Sequence, residues 1–207
     1  VRAAAVLAAA LSLAVAAAVP AQAATVTLTS GHVDVLDVDY NAGALTLTVN
    51  DEVAERNPAD VILQVPAAAK ITVPSGAAWS FLGGAGATAW VLPQGSTSGL
   101  LWAGWNTAEV PSGVFQNNSV QFKLTAVSGP GQFSVYTVSA GTPTRLFDSS
   151  DGLPDTRNVT YNAHTHANWG FTQAGTYTVT FEVTGKLIST GATVTTGAKA
   201  FTFNVLP

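Results

Sequence analysis

The feature that most narrows the fold is a two-residue alternation of apolar and polar side chains that recurs along nearly all of the chain after residue 23. In "GALTLTVND", Leu45, Leu47 and Val49 fall on one side and the threonines on the other. An extended strand points successive side chains to opposite faces, so a segment of this kind buries one face and leaves the other to solvent. "ATVTLTS", "VDVLDVDY", "ADVILQVP", "AKITVP", "SVQFKLTAV", "GQFSVYTVS", "TYTVTFEVTG" and "AKAFTFNV" repeat the pattern. Between them stand turn formers such as Gly43, Pro66, Pro74, Gly76, Gly131, Pro143, Pro154 and Gly185. No segment after residue 23 keeps a helical period over three turns. Many short strands with this punctuation predict an all-β, immunoglobulin-like antiparallel β-sandwich.

One stretch breaks the rhythm. "SFLGGAGATAWVLPQGSTSGLLWAGWNTAEVPSGVF" is rich in glycine and aromatic residues, with Trp90, Trp102 and Trp105 inside it and Trp79 beside it. It reads as an ordered Gly/Trp-rich loop insertion packed on one end of the sandwich. "GTYTVTFEV" reads as a late sandwich strand, in which Tyr177 bonds backbone across a corner.

Residues 1–23 have a different character. Arg2 precedes an apolar run, which ends in Pro20 and the small-residue triplet Ala21, Gln22, Ala23. A basic start, an apolar middle and an A-x-A site are the parts of a secretory signal peptide cleaved after Ala23. The run is shorter than the roughly 20 apolar residues that a membrane span needs, so no membrane insertion is expected after cleavage. Residues 24–207 then form a single domain, secreted or held at the cell surface.

Composition removes several classes. Asp, Glu, Lys and Arg make up 10% of the chain, against about a quarter in ordinary soluble domains. The few Lys and Arg are scattered, so no nucleic-acid footprint exists. Cysteine and methionine are both absent, which excludes disulfides, thiolate sites, cysteine nucleophiles and thioether copper ligation. No G-x-S-x-G elbow, P-loop or H-E-x-x-H is present, so the chain is not expected to be an enzyme.

What remains is a sparse set of histidines. There are three, and all fall in two short motifs, "GHVDV" (His32, Asp34) and "NAHTHANWGF" (His164, His166). Residues two apart on a strand point the same way with Cα atoms ~6.5 Å apart. Two such pairs brought together would give a three-His, one-carboxylate set suited to a divalent metal, zinc ahead of manganese. The alternative is structural: His32 pairs with Asp34, and His164 bonds backbone at a turn. Asn168 and Trp169 give ligand or second-layer support or simple packing. Trp102, Trp105 and Asn106 in "LLWAGWNT" offer either a platform for a sugar ring or a protein, or a small core of their own. The run "FDSSDGLPDTRN" lacks the spacing of an EF-hand loop and reads as an acidic turn.

In order along the chain, "SGHVDVLDVDY", "LTLTVND", "FLGGAGATAWVLPQ", "LLWAGWNT", "SGPGQFSVYTV" and "HTHANWGFTQAGTYTVTFEVTG" resemble the actinobacterial surface-anchored protein domain, also described as the choice-of-anchor M domain. The likeness spans essentially residues 24–207 and is most specific in the last element. It implies an exported cell-surface β-domain whose relatives occur in repeats on wall-anchored proteins and beside binding components of metal-type ABC transporters. A role in relaying a metal ion or small ligand to such an uptake system follows from that resemblance. The other function expected is a structural or adhesive surface module that engages cell-wall glycan or another protein through its Trp-rich loop. No LPxTG motif or lipobox cysteine occurs among the 207 residues, so the resemblance does not carry wall or lipid anchoring over to them.

Overall fold

The computed structural model describes residues 24–207; the signal-peptide reading falls on residues 1–23, outside them. The first strands are β1 (Val26–Leu28), β2 (Gly31–Asn41), β3 (Ala44–Asn50), β4 (Glu55–Arg56), β5 (Val61–Val65) and β6 (Lys70–Thr72). There follow β7 (Thr88–Leu92), β8 (Leu101–Glu109), β9 (Ser119–Ser128), β10 (Phe133–Ser139), β11 (Thr142–Asp148) and β12 (Asp155–Thr160). The last are β13 (His164–His166), β14 (Asn168–Phe171), β15 (Gly175–Lys186), β16 (Thr193–Thr195) and β17 (Lys199–Val205). Short 3-10 turns are the only helices among the described residues.

The chain is an all-β sandwich, as the alternation requires. Sheet I runs β1-β5-β17-β15-β9-β12, with β16 on β15; sheet II runs β13-β8-β2-β3-β4; sheet III runs β11-β10-β14-β7-β6. The sheets are not purely antiparallel: β1 with β5, β5 with β17, and β2 with β8 are parallel pairs. Alternation places Tyr177, Val179, Phe181 and Val183 of β15 beside Phe201 and Phe203 of β17 in one core, while Thr178 and Glu182 face outward. Trp169 is fully buried there, its ring 5.8 Å from Phe203 and 5.9 Å from Phe133. Aromatic contacts at these tilts add to the burial itself.

The expected Gly/Trp-rich loop insertion is corrected. Its residues form β7, β8 and the 3-10 turn at Ala77–Leu82. The turn lays Phe81 and Leu82 on the outer face of sheet III against Val91 and Tyr136, a second small core. The opposite faces of those strands, with Trp90, Leu92, Phe133 and Val135, enter the main core. A strand buried on both faces loses its alternation, and that is why this stretch did not read as strands.

Tyr177 makes the corner its position predicts. Its hydroxyl donates to the Gln173 carbonyl at 2.9 Å and accepts from the Gln173 amide at 3.2 Å. Gly129 allows the ring to lie flat on the chain, since a Cβ there would meet Tyr177 Cδ1 at 2.5 Å. The corner fixes where β14 turns into β15, and β14 directly follows the histidine strand β13.

Candidate metal centre

Sheet II carries the site on its outer face. In it β8 lies between β2, parallel on one side, and the three-residue edge strand β13, antiparallel on the other. Asp34, Gly104 and His166 form one row across the three strands; His32 stands beside Trp102, and His164 beside Asn106. Each motif contributes an i, i+2 pair, and the sheet brings the two pairs face to face.

The donor atoms converge. His164 Nε2 lies 3.0 Å from Asp34 Oδ1 and 3.1 Å from His32 Nε2, and His32 Nε2 lies 3.8 Å from Asp34 Oδ1. With His166 included, one ligand atom from each residue falls within 4.8 Å of every other. Four donors held at ~2.1 Å by one tetrahedral ion stand about 3.4 Å apart, and the separations of 3.0, 3.1 and 3.8 Å bracket that value. Both ring nitrogens of His166 are buried with no hydrogen-bond partner. A buried polar atom without a partner costs about 1–3 kcal/mol, and an ion among the four residues would satisfy one of the two. His32, Asp34, His164 and His166 can hold a metal ion.

Burial, with the neighbouring His32 and His164, pulls the His166 pKa below its ordinary value, so the ring stays neutral, the form that ligates. The surrounding charge also favours a cation. Sheet II and its turns carry Asp34, Asp37, Asp39, Asp51, Glu52, Glu55 and Glu109, seven of the chain's twelve acidic residues, against one of its eight Lys and Arg, Arg56. A face of one sign raises the local concentration of its counter-ion.

Three features that build the site were not read from the sequence. The first is a bulge in β2, where register shifts between Asp34 and Asp37 against β3, and between Asp34 and Leu36 against β8. Residues three apart on a regular strand would face opposite ways; the extra residue returns Asp37 to the side of Asp34. Its trace in the sequence is the adjacent apolar pair Val35-Leu36, which breaks the alternation of "VDVLDVDY". The second is Gly104, where a Cβ would meet the Thr165 carbonyl oxygen at 2.5 Å and His166 Nδ1 at 2.8 Å. The imidazole occupies the space a side chain would take. The third is the buried Thr107, whose hydroxyl donates to the Thr160 carbonyl at 2.7 Å and accepts from the Ala163 amide at 2.9 Å. It pins the turn that leads into β13.

The other candidate residues separate into two groups. Trp102 lies on the site face, its ring stacked on His166 at 3.7 Å between centroids and a 13° tilt. Its Nε1–H donates to the Gln94 carbonyl at 2.8 Å, and the Gln94 amide donates to Asn168 Oδ1 at 2.9 Å. Asn168 thus braces the ring that packs on His166. Asn106 donates to Asp37 Oδ1 at 3.0 Å, and Asn50 donates to Asp37 Oδ2 at 3.2 Å. Trp105 and Trp169 are buried in the main core and present no face to a ligand. The acidic turn is closed on itself, with Arg145 donating to Asp148 at 2.7 Å and to Asp151 at 3.2 Å.

Asp37 gives a measurable consequence. Burial raises its pKa from 3.8 to about 6; the two Asn amides oppose the shift and the charge of Asp34 adds to it. Between those values the folded chain holds a proton that the unfolded chain has lost, so this contribution to stability is full below ~3.8 and falls away as pH rises through about 6. Urea unfolding of the metal-free protein should therefore show wild type losing about 2 kcal/mol relative to Asp37→Asn between pH 4 and pH 6.5. A difference independent of pH would refute the assignment.

No protein-family model matches the chain, and comparison with curated proteins and with solved structures finds no match.

Proposed function

We propose that this chain is an exported, non-catalytic surface domain that captures a divalent metal ion, zinc ahead of manganese, for delivery to an ABC-type uptake system. The observation that carries the metal reading is the convergence of His32, Asp34, His164 and His166 within 4.8 Å from two strands distant in sequence. The three-nitrogen, one-oxygen set suits zinc, and manganese takes oxygen-rich sites more readily. Delivery is consistent with access: the His164 side chain is 50% exposed while Asp34 is buried, so an incoming ligand can reach one edge of the ion. The uptake partner is taken from the resemblance to surface-anchored domains. Of the two tryptophans that would carry an adhesive role, Trp105 is buried in the main core, and the half-buried Trp102 is stacked on His166.

Native mass spectrometry of residues 24–207, before and after addition of zinc or manganese, tests the reading. One zinc per chain is expected, and none when His32, His164 and His166 are all replaced by alanine. Absence of metal from the wild-type chain, or equal retention by the triple variant, would end it.

A further inference from the structure

We propose that Glu52 is a positioning residue for the metal centre, the carboxylate that fixes the tautomer of His32. The inference rests on the metal reading of the four-residue cluster and adds a fifth residue to it. His32 points Nε2 into the cluster, 3.1 Å from His164 Nε2, so its other nitrogen, Nδ1, must carry the proton when Nε2 ligates. That Nδ1 is buried and lacks a formed hydrogen bond. The one carboxylate beside it is Glu52, whose Oε1 lies 3.2 Å away but outside hydrogen-bond alignment. The Glu52 side chain is 71% exposed, and a small swing aligns it. Metal-ligating histidines generally donate their second N–H to such a group, which sets tautomer and ring orientation.

The backbone supplies an independent reason. Glu52 sits at φ +64°, in the left-handed region that glycine and asparagine tolerate and that glutamate rarely adopts. The surrounding turn holds it there. Its amide donates to Asn50 Oδ1 at 3.0 Å, while Asp51 Oδ1 accepts from the Val53 and Ala54 amides at 3.1 and 2.8 Å. For the turn alone glycine would serve better. A strained residue whose side chain meets an orphaned site nitrogen is held for that contact.

Glu52→Gly separates the two roles, since it relieves the backbone and removes the carboxylate. The variant should melt no lower than wild type in the metal-free state, yet bind zinc about tenfold or more weakly in competition with a chromophoric chelator. Glu52→Gln, which keeps an acceptor without the charge, should fall between them. Long-range proton–nitrogen NMR of the metal-free protein should show His32 as the Nδ1–H tautomer in wild type and a mixture in Glu52→Gly. Equal zinc affinity in wild type and Glu52→Gly, or an Nε2–H tautomer in wild type, would overturn the proposal. If wild type holds no zinc, the metal reading fails, and the tautomer comparison still decides whether Glu52 sets the ring of His32.

Discussion

Replacing His166 by alanine should weaken zinc binding by two to three orders of magnitude. Four-ligand zinc sites bind with about 10–16 kcal/mol in all. One ligand of four therefore carries on the order of 3–4 kcal/mol, a factor of a few hundred in affinity. Of the four candidate ligands, His166 is the one for which a substitute is hardest to find. Its ring stacks on Trp102 with its Nδ1 edge against the bare backbone at Gly104, and neither nitrogen has another partner. The more exposed His164 sits at an edge where water can take over a coordination position. Thermal melting reads the effect. At a free zinc concentration a hundred times its Kd, wild type gains about 2.7 kcal/mol, a rise of roughly 5–10 °C for a domain of this size. At the same zinc concentration His166→Ala should gain only about 0.2 kcal/mol and show almost no rise. A variant that melts with the full zinc-dependent shift would remove His166 from the ligand set.

Much of this architecture was legible because its physics is local. Strands exposed on one face alternate, and β3, β9, β15 and β17 could be drawn from Leu45, Phe122, Tyr177 and Phe203 with their neighbours alone. The two histidine pairs were legible for the same reason, since i, i+2 on a strand means one face. Their meeting was not. It depends on β2 and β13 flanking β8, and β2 pairs with β8 in parallel, which requires a long connection that no turn signal announces. β8 itself was hidden, because its inner face joins the main core and its outer face carries Trp102 and a glycine in place of an alternating polar set. Glu52 and Gly104 were silent for a different reason. Each matters through what lies across the sheet from it, and neither residue type is unusual where it stands in the sequence.

Gly104→Ala should disable the site without replacing any of the four candidate ligands. The added Cβ would sit 2.5 Å from the Thr165 carbonyl oxygen and 2.8 Å from His166 Nδ1. The first of these is main chain and cannot rotate aside, so β8 and β13 must part. β13 is the element that yields, because it is three residues long, lies at the edge of its sheet and pairs with β8 alone. Overpacking of this kind costs about 1–3 kcal/mol, which lowers the melting temperature of the metal-free protein by roughly 2–12 °C. The effect on zinc should exceed the effect on folding, since the strand that moves carries two of the four ligands. A displacement of an ångström at His164 and His166 takes both out of reach of bonds near ~2.1 Å, and the zinc-dependent rise in melting temperature should vanish. Gly95→Ala is the matched control: a Cβ there meets nothing within 4 Å and the backbone is not left-handed, so folding and zinc binding should both stay as in wild type. Should Gly104→Ala bind zinc as tightly as Gly95→Ala does, the bare backbone under His166 would have no part in the site, and the row of Asp34, Gly104 and His166 would be an accident of register.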